Sequence, residues 1–169
     1  MTPNITPNMT ANDLSATSAL AALQAHQLTA VDLLQSCQQR ITERDRIVGA
    51  WTTLNLDRAH QQAEACDQAH TAGQSIGVLH GIPIGIKDTF ATKDLPTEWG
   101  TQIHAKRYFN YDAAVVERLR STGAIILGKT VTTEYAASHA NQTTNPHHPD
   151  YTPGGSSSGS AAALSLIHI

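Results

Sequence analysis

Three stretches of the chain predict an α/β fold in which N-terminal helices cover a mixed, partly parallel sheet. The first is Gly81-Ile-Pro-Ile-Gly-Ile-Lys87, short, β-branched and punctuated by glycine, which reads as a strand ending at a lysine. The second is a helical stretch opened by Asp112, carrying Val115, Val116 and Leu119 and stopped by Gly123. The third, Ala124-Ile125-Ile126-Leu127, is apolar at every position, as a strand buried on both faces should be. Strand, helix and strand in that order imply parallel pairing. Pro83 has no N–H to give a ladder, so its strand belongs at a start or an edge.

Upstream, the hydrophobic period is helical. Leu20, Leu23 and neighbouring alanines form one face from Ser15 to near Gln27. Thr29 has the position of an N-cap with Asp32 three residues on, and Leu33, Leu34, Cys37 and Ile41 give a second stripe. After a short link through Gly49 and Trp51, Leu56, Ala59, Ala63, Ala65 and Ala69 make a third face, closed by Gly73. Three helices are thus expected before any strand, as a covering layer. Residues 1–12, rich in Thr, Asn and Pro, are expected to be a disordered leader. A short helix is expected from Thr132, followed by a polar loop from Asn141 to Pro153.

With 169 residues, 40% hydrophobic and 15% charged, the chain fits one globular domain with a real core. A net charge of −3 offers no general attraction to nucleic acid or anionic membrane. No apolar run reaches the length of a membrane span, and the polar first ten residues lack the pattern of a secretory signal. Cys37 and Cys66 form no disulfide framework, which suits a cytoplasmic location. Of nine histidines only His147 and His148 are neighbours, with no accompanying Cys or carboxylate pattern, so neither a metal nor a cofactor is expected.

The chemistry centres on Pro153-Gly-Gly-Ser-Ser-Ser-Gly-Ser-Ala-Ala-Ala163. Paired glycines free the backbone, three hydroxyls follow, and the alanines favour helix, so a tight loop feeds a helix N-terminus. Two familiar patterns do not fit their surroundings. Gly123 to Thr130 satisfies G-x-x-x-x-G-K-[ST], but the residues between its glycines are themselves the strand, leaving no phosphate loop. Gly155-Ser-Ser-Ser-Gly159 satisfies G-x-S-x-G, but Pro146, Pro149 and Pro153 precede it where a nucleophile elbow needs a buried strand. A lysine acting as base for a serine fits better. Lys87, at the end of an Ile-Pro-Ile-Gly-Ile run, has the apolar surroundings that favour the neutral amine. Lowering its pKa from about 10.4 to about 7 costs about 4–5 kcal/mol, so it needs hydroxyl partners.

Gly81-Ile-Pro-Ile-Gly-Ile-Lys87-Asp88, Gly123-Ala-Ile-Ile-Leu-Gly-Lys-Thr130 with Glu134, Asn145-Pro146 and Gly154-Gly-Ser-Ser-Ser-Gly-Ser160-Ala-Ala-Ala together resemble the amidase signature family over about residues 15–163. The resemblance implies amide hydrolysis by a Ser–cis-Ser–Lys triad on an α/β sheet flanked by helices. Lys87 would be the base. Ser156, after a cis peptide bond, would be the middle member that relays the proton, with Gly154, Gly155 and Ser157 as the supporting loop. Ser157-Ser158-Gly159-Ser160 stands where the family often has Ser-Gly-Gly-Ser. The family's nucleophilic serine and oxyanion donors lie in a second glycine-rich stretch downstream, absent from this chain. An incomplete amidase-signature core is therefore expected over residues 13–163. Leu164-Ser-Leu-Ile-His-Ile169 resembles the translation of a sequencing adaptor, so residues 164–169 are expected to be a non-native tail.

The resemblance implies an amidase acting on carbon–nitrogen bonds other than peptide bonds, with a small-molecule amide substrate, no cofactor and possible oligomers. The fragment itself is expected to be inactive. The alternative within the family is the A subunit of a tRNA-dependent amidotransferase, which takes ammonia from glutamine and would add a nucleic-acid partner. An alternative of another class is a non-catalytic, incomplete domain.

Overall fold

The computed structural model describes residues 10–74 and 77–166; most of the expected leader and residues 167–169 of the expected tail lie outside them. The chain runs α1 (Ala16–Gln24), α2 (Ala30–Val48), β1 (Trp51–Leu54), α3 (Leu56–Thr71), β2 (Pro83–Lys87), α4 (Ala114–Ser121), β3 (Ile125–Thr130) and α5 (Ser158–Ser165). The α/β class predicted from the sequence is the class found.

The helical layer forms for the reasons its sequence suggests. Thr29 caps α2, its hydroxyl accepting from the Asp32 amide at 3.0 Å and donating to the Asp32 carboxylate at 2.6 Å. Two more unpaired amides of that first turn, Ala30 and Val31, donate to the Asp67 carboxylate of α3, which docks the two helices. Gly49 ends α2 with φ 61°, the left-handed conformation that suits glycine. In α3 the buried stripe is narrower than expected: Ala59 and Ala63 are buried, whereas Ala65 is exposed.

Two expectations are corrected. A strand, β1, comes before α3, so the first seventy residues are not only a covering layer. Trp51-Thr-Thr-Leu54 has strand propensity and lies between a helix stop and the Asn55 cap of α3, where it pairs antiparallel with β3. Residues 11 and 12, expected within the leader, are structured as well. Ala11–Asp13 form a 3₁₀ turn in which buried Asn12 donates its amide to Ser36 Oγ at 3.0 Å. Smaller differences follow downstream. Helix α4 starts after Ala113, and the Asp112 carboxylate instead accepts from the Lys93 amide and Arg120 Nε. The helix expected from Thr132 is a 3₁₀ turn at Glu134–Ala136, with Tyr135 at φ 50°.

Among the described residues the sheet has three strands in the order β1-β3-β2, β3 antiparallel to β1 and parallel to β2. Pro83 opens β2, an edge strand, as its missing donor requires. Every residue of β3 is buried. The parallel register slips at Leu127, so that Ile84 opposes Ile126 but Ile86 opposes Lys129 and Lys87 opposes Thr130. One core joins Leu33, Leu34, Ile82, Ile125, Leu127 and Ala162, and a smaller one joins Ile86, Leu95, Val116 and Ile126. The slip therefore sets Lys129 on the side of the smaller core and leaves Lys87 and Thr130 facing the Gly/Ser stretch.

Candidate active site

Helix α5 lies against the sheet because its second residue is glycine. A Cβ at Gly159 would overlap the Ala50 carbonyl oxygen and the Val131 nitrogen. That close approach lets the Gly159 amide donate to Val131 O at 3.0 Å, while Thr130 and Ser160 hydroxyls meet at 2.7 Å. The loop before α5 is thus carried to the carboxyl ends of β2 and β3, where open α/β sheets place their ligands.

Lys87 ends β2, and its Nζ donates to Ser156 Oγ at 2.6 Å across 69 residues of sequence. Burial pushes the Lys87 amine below the ordinary lysine range. The Gly155–Ser156 peptide bond is cis. Ser156 O accepts from the Thr133 amide at 3.0 Å, tying the loop to the segment that leaves β3. Gly154, at φ 87°, makes the turn into the loop, and Gly155 has no room for a larger residue, since a Cβ there would lie 2.7 Å from Thr133 Cγ2. Ser157 is exposed and caps α5 through its carbonyl, which accepts from the Ala161 amide at 2.9 Å, rather than through its side chain. An open cleft of about 470 Å³, lined by small uncharged groups including Thr133, Ala136, Ala137, Thr152 and Gly155, adjoins Ser156.

The five site residues expected from the sequence are thus found in one place. A lysine amine in contact with a serine hydroxyl at the edge of a cleft has the geometry for proton exchange between them.

The sequence reading missed the groups behind β2. Lys129, which the sequence placed within the Gly123–Thr130 motif without a role of its own, lies in β3 with its side chain fully buried and Nζ 3.1 Å from the buried Asp88 carboxylate. The signal was present: a lysine in a run buried on both faces needs a counter-charge, and Asp88 follows Lys87.

A profile of the amidase family matches residues 32–167. The chain belongs to the amidase signature family. It is 41% identical over 162 residues to a Chloroflexus aurantiacus protein that bears the name of the A subunit of glutamyl-tRNA(Gln) amidotransferase, covering 92% of this chain and 33% of that one. A protein of the same name from Thermobifida fusca is 40% identical over 160 residues, with 91% and 32% covered. Among solved structures, the peptide amidase of Stenotrophomonas maltophilia superposes with a TM-score of 0.84 at 32% identity, over 91% of this chain and 34% of that one. Fatty acid amide hydrolase superposes with a TM-score of 0.85 at 29% identity, over 93% and 29%. The chain spans about a third of the length of the curated relatives it matches. No helix among the described residues is long and apolar enough to cross a membrane.

Proposed function

We propose that the protein supplies the base and the proton relay of an amide hydrolase working in the cytoplasm on a small-molecule carboxamide. The observation that carries this reading is the 2.6 Å contact between Lys87 Nζ and Ser156 Oγ. With the amine neutral, Ser156 O–H donates to Nζ and Ser156 Oγ can accept a proton from a nucleophilic hydroxyl. Attack on the amide carbonyl then forms an acyl-enzyme. The relayed proton goes to the leaving nitrogen, and water frees the acid. The nucleophile and oxyanion donors belong, by resemblance to the family, to a downstream stretch outside these 169 residues. Hydrolysis therefore needs groups beyond this chain, because a base and a relay do not replace them.

A second reading is favoured by the curated relatives. Proteins 41% and 40% identical to this chain carry the name of an amidotransferase A subunit. In that role the same triad would release ammonia from glutamine, and the protein would work in a complex.

The test is ammonia release by this chain extended with the remaining part of the Chloroflexus relative. Hydrolysis of simple carboxamides, lost in Lys87→Ala and in Ser156→Ala, supports the first reading. Activity confined to glutamine selects the second. Turnover that survives Lys87→Ala, or Lys87-dependent turnover by the 169 residues alone, overturns the account.

A further inference from the structure

Lys129 has no part in the contact between Lys87 and Ser156, yet its surroundings are built around a charge. Its Nζ donates to Phe90 O at 3.0 Å, Pro96 O at 3.1 Å and Thr97 Oγ1 at 2.6 Å, and lies 3.1 Å from Asp88 Oδ1. Thr97 Oγ1 in turn donates to Phe90 O at 3.2 Å. Four acceptors converging on one nitrogen call for the three protons of an ammonium. Burial lowers the pKa of Lys129 and raises that of Asp88, and each charge offsets part of the other's shift. The carboxylates of Glu98 and Asp94 add to the field that holds Lys129 charged.

The residue this ammonium grips is the one after Lys87. Asp88 is tied at every polar group: its amide donates to Thr130 O at 3.0 Å, and its carbonyl accepts from the Trp99 amide at 3.1 Å. Its carboxylate accepts from the Glu98 amide at 3.1 Å as well as from Lys129. From the far end of the same loop, Trp99 O accepts from the Tyr135 amide at 2.8 Å, next to the Thr133 amide that donates to Ser156 O at 3.0 Å. One wrapped segment, residues 88–99, thus touches both supports of the site: the strand end behind Lys87 and the turn on which Ser156 hangs.

We propose that Lys129, with Asp88 as counter-ion, is a positioning residue that folds the 88–99 segment around its ammonium and so aims Lys87 at Ser156. The inference rests on the reading of Lys87 as the base. It assigns the lysine of the Gly123–Thr130 pattern to the support of a second lysine, not to a phosphate.

The chain holds four lysines, 87, 93, 106 and 129, so their amines can be assigned by single substitutions and titrated by NMR on lysine labelled with ¹³C and ¹⁵N. In the unaltered 169-residue chain Lys87 is expected to titrate below the ordinary lysine range. Lys129→Met is expected to raise the Lys87 midpoint by about one unit or more, a tenfold change in proton affinity. Two variants keep the net charge unchanged: Thr97→Val, which removes one acceptor, and the double variant Asp88→Asn with Lys129→Met. Each is expected to raise the midpoint in the same direction, Thr97→Val by less. If Lys129→Met does not fold, Thr97→Val decides. A lowered melting temperature with an unmoved Lys87 titration overturns the proposal, as does a rise absent from both charge-neutral variants, which would mark a direct charge effect. An ordinary lysine midpoint, about 10.4, for Lys87 in the unaltered chain would overturn the reading of Lys87 as the base, and this inference with it. That failure is distinct because it needs no substitution.

Discussion

Lys87 Nζ and Ser156 Oγ lie 2.6 Å apart although one ends an edge strand and the other precedes the last helix of the described chain. Two separate packing events create this contact. Parallel pairing of β2 with β3 sets Lys87 opposite Thr130, and Gly159 lets α5 settle against Val131, close to the same strand end. If proton exchange runs across this pair, the neutral amine is the working form. In the extended enzyme, Lys87→Met is expected to lower the rate of amide hydrolysis by about 10²–10⁴-fold, the usual contribution of a positioned base. The rate should rise with pH through the Lys87 pKa, which burial sets below the ordinary value of about 10.4. A pH–rate profile checks both points, and the rising limb should vanish in the variant.

The same shift has a consequence for stability. A lysine whose folded pKa is depressed binds its proton more weakly in the native state than in the unfolded one. Its unfavourable contribution is therefore present in full below the folded pKa and is relieved as pH rises from there toward about 10.4. Denaturant midpoints measured from neutral to alkaline pH should show this rise in the natural chain. In Lys87→Met the Lys87 part of the slope should be missing.

Gly159→Ala is expected to destabilise the fold by about 1–3 kcal/mol or more, because the added methyl would overlap backbone atoms of Ala50 and Val131 rather than a side chain that can turn away. Urea unfolding measures the loss. Displacement of α5 should also part Lys87 from Ser156, so the Lys87 amine should return toward the ordinary lysine range in the same variant.

Lys129→Met should cost about 3–5 kcal/mol, since it strands a carboxylate that is 1% exposed among carbonyl oxygens. Adding Asp88→Asn should restore part of that loss. A double-mutant cycle by thermal or urea unfolding gives the coupling, which is expected to exceed that of the more exposed pair Arg40 with Asp13.

Thr29→Ala removes the side-chain cap of α2 and is expected to cost about 1 kcal/mol. The loss should be smaller than that from Asp67→Ala, because Asp67 serves two amides of the same turn from the neighbouring helix. Urea unfolding of the two variants gives the comparison.

The sequence by itself determined the α/β class, the extents of the long helices and the parallel pair β2 and β3. These features are local: a hydrophobic period, a cap such as Thr29, a helix stop such as Gly73, a strand apolar throughout. The place of Pro83 was legible too, since a residue without an amide proton suits the start or the edge of a ladder, and it opens β2, an edge strand among the described residues. What only the tertiary structure decided depends on register and on close approach. The four residues Trp51-Thr-Thr-Leu54 carry too little pattern to be told from a link until β3 lies beside them. The slip at Leu127 decides which face each lysine takes, and no periodicity in Ile125-Ile-Leu-Gly-Lys-Thr130 announces it. Lys129 could pair only once the chain from Asp88 to Thr97 had wrapped around it, because a buried charge is satisfied by whatever folding brings near, not by its neighbours in sequence.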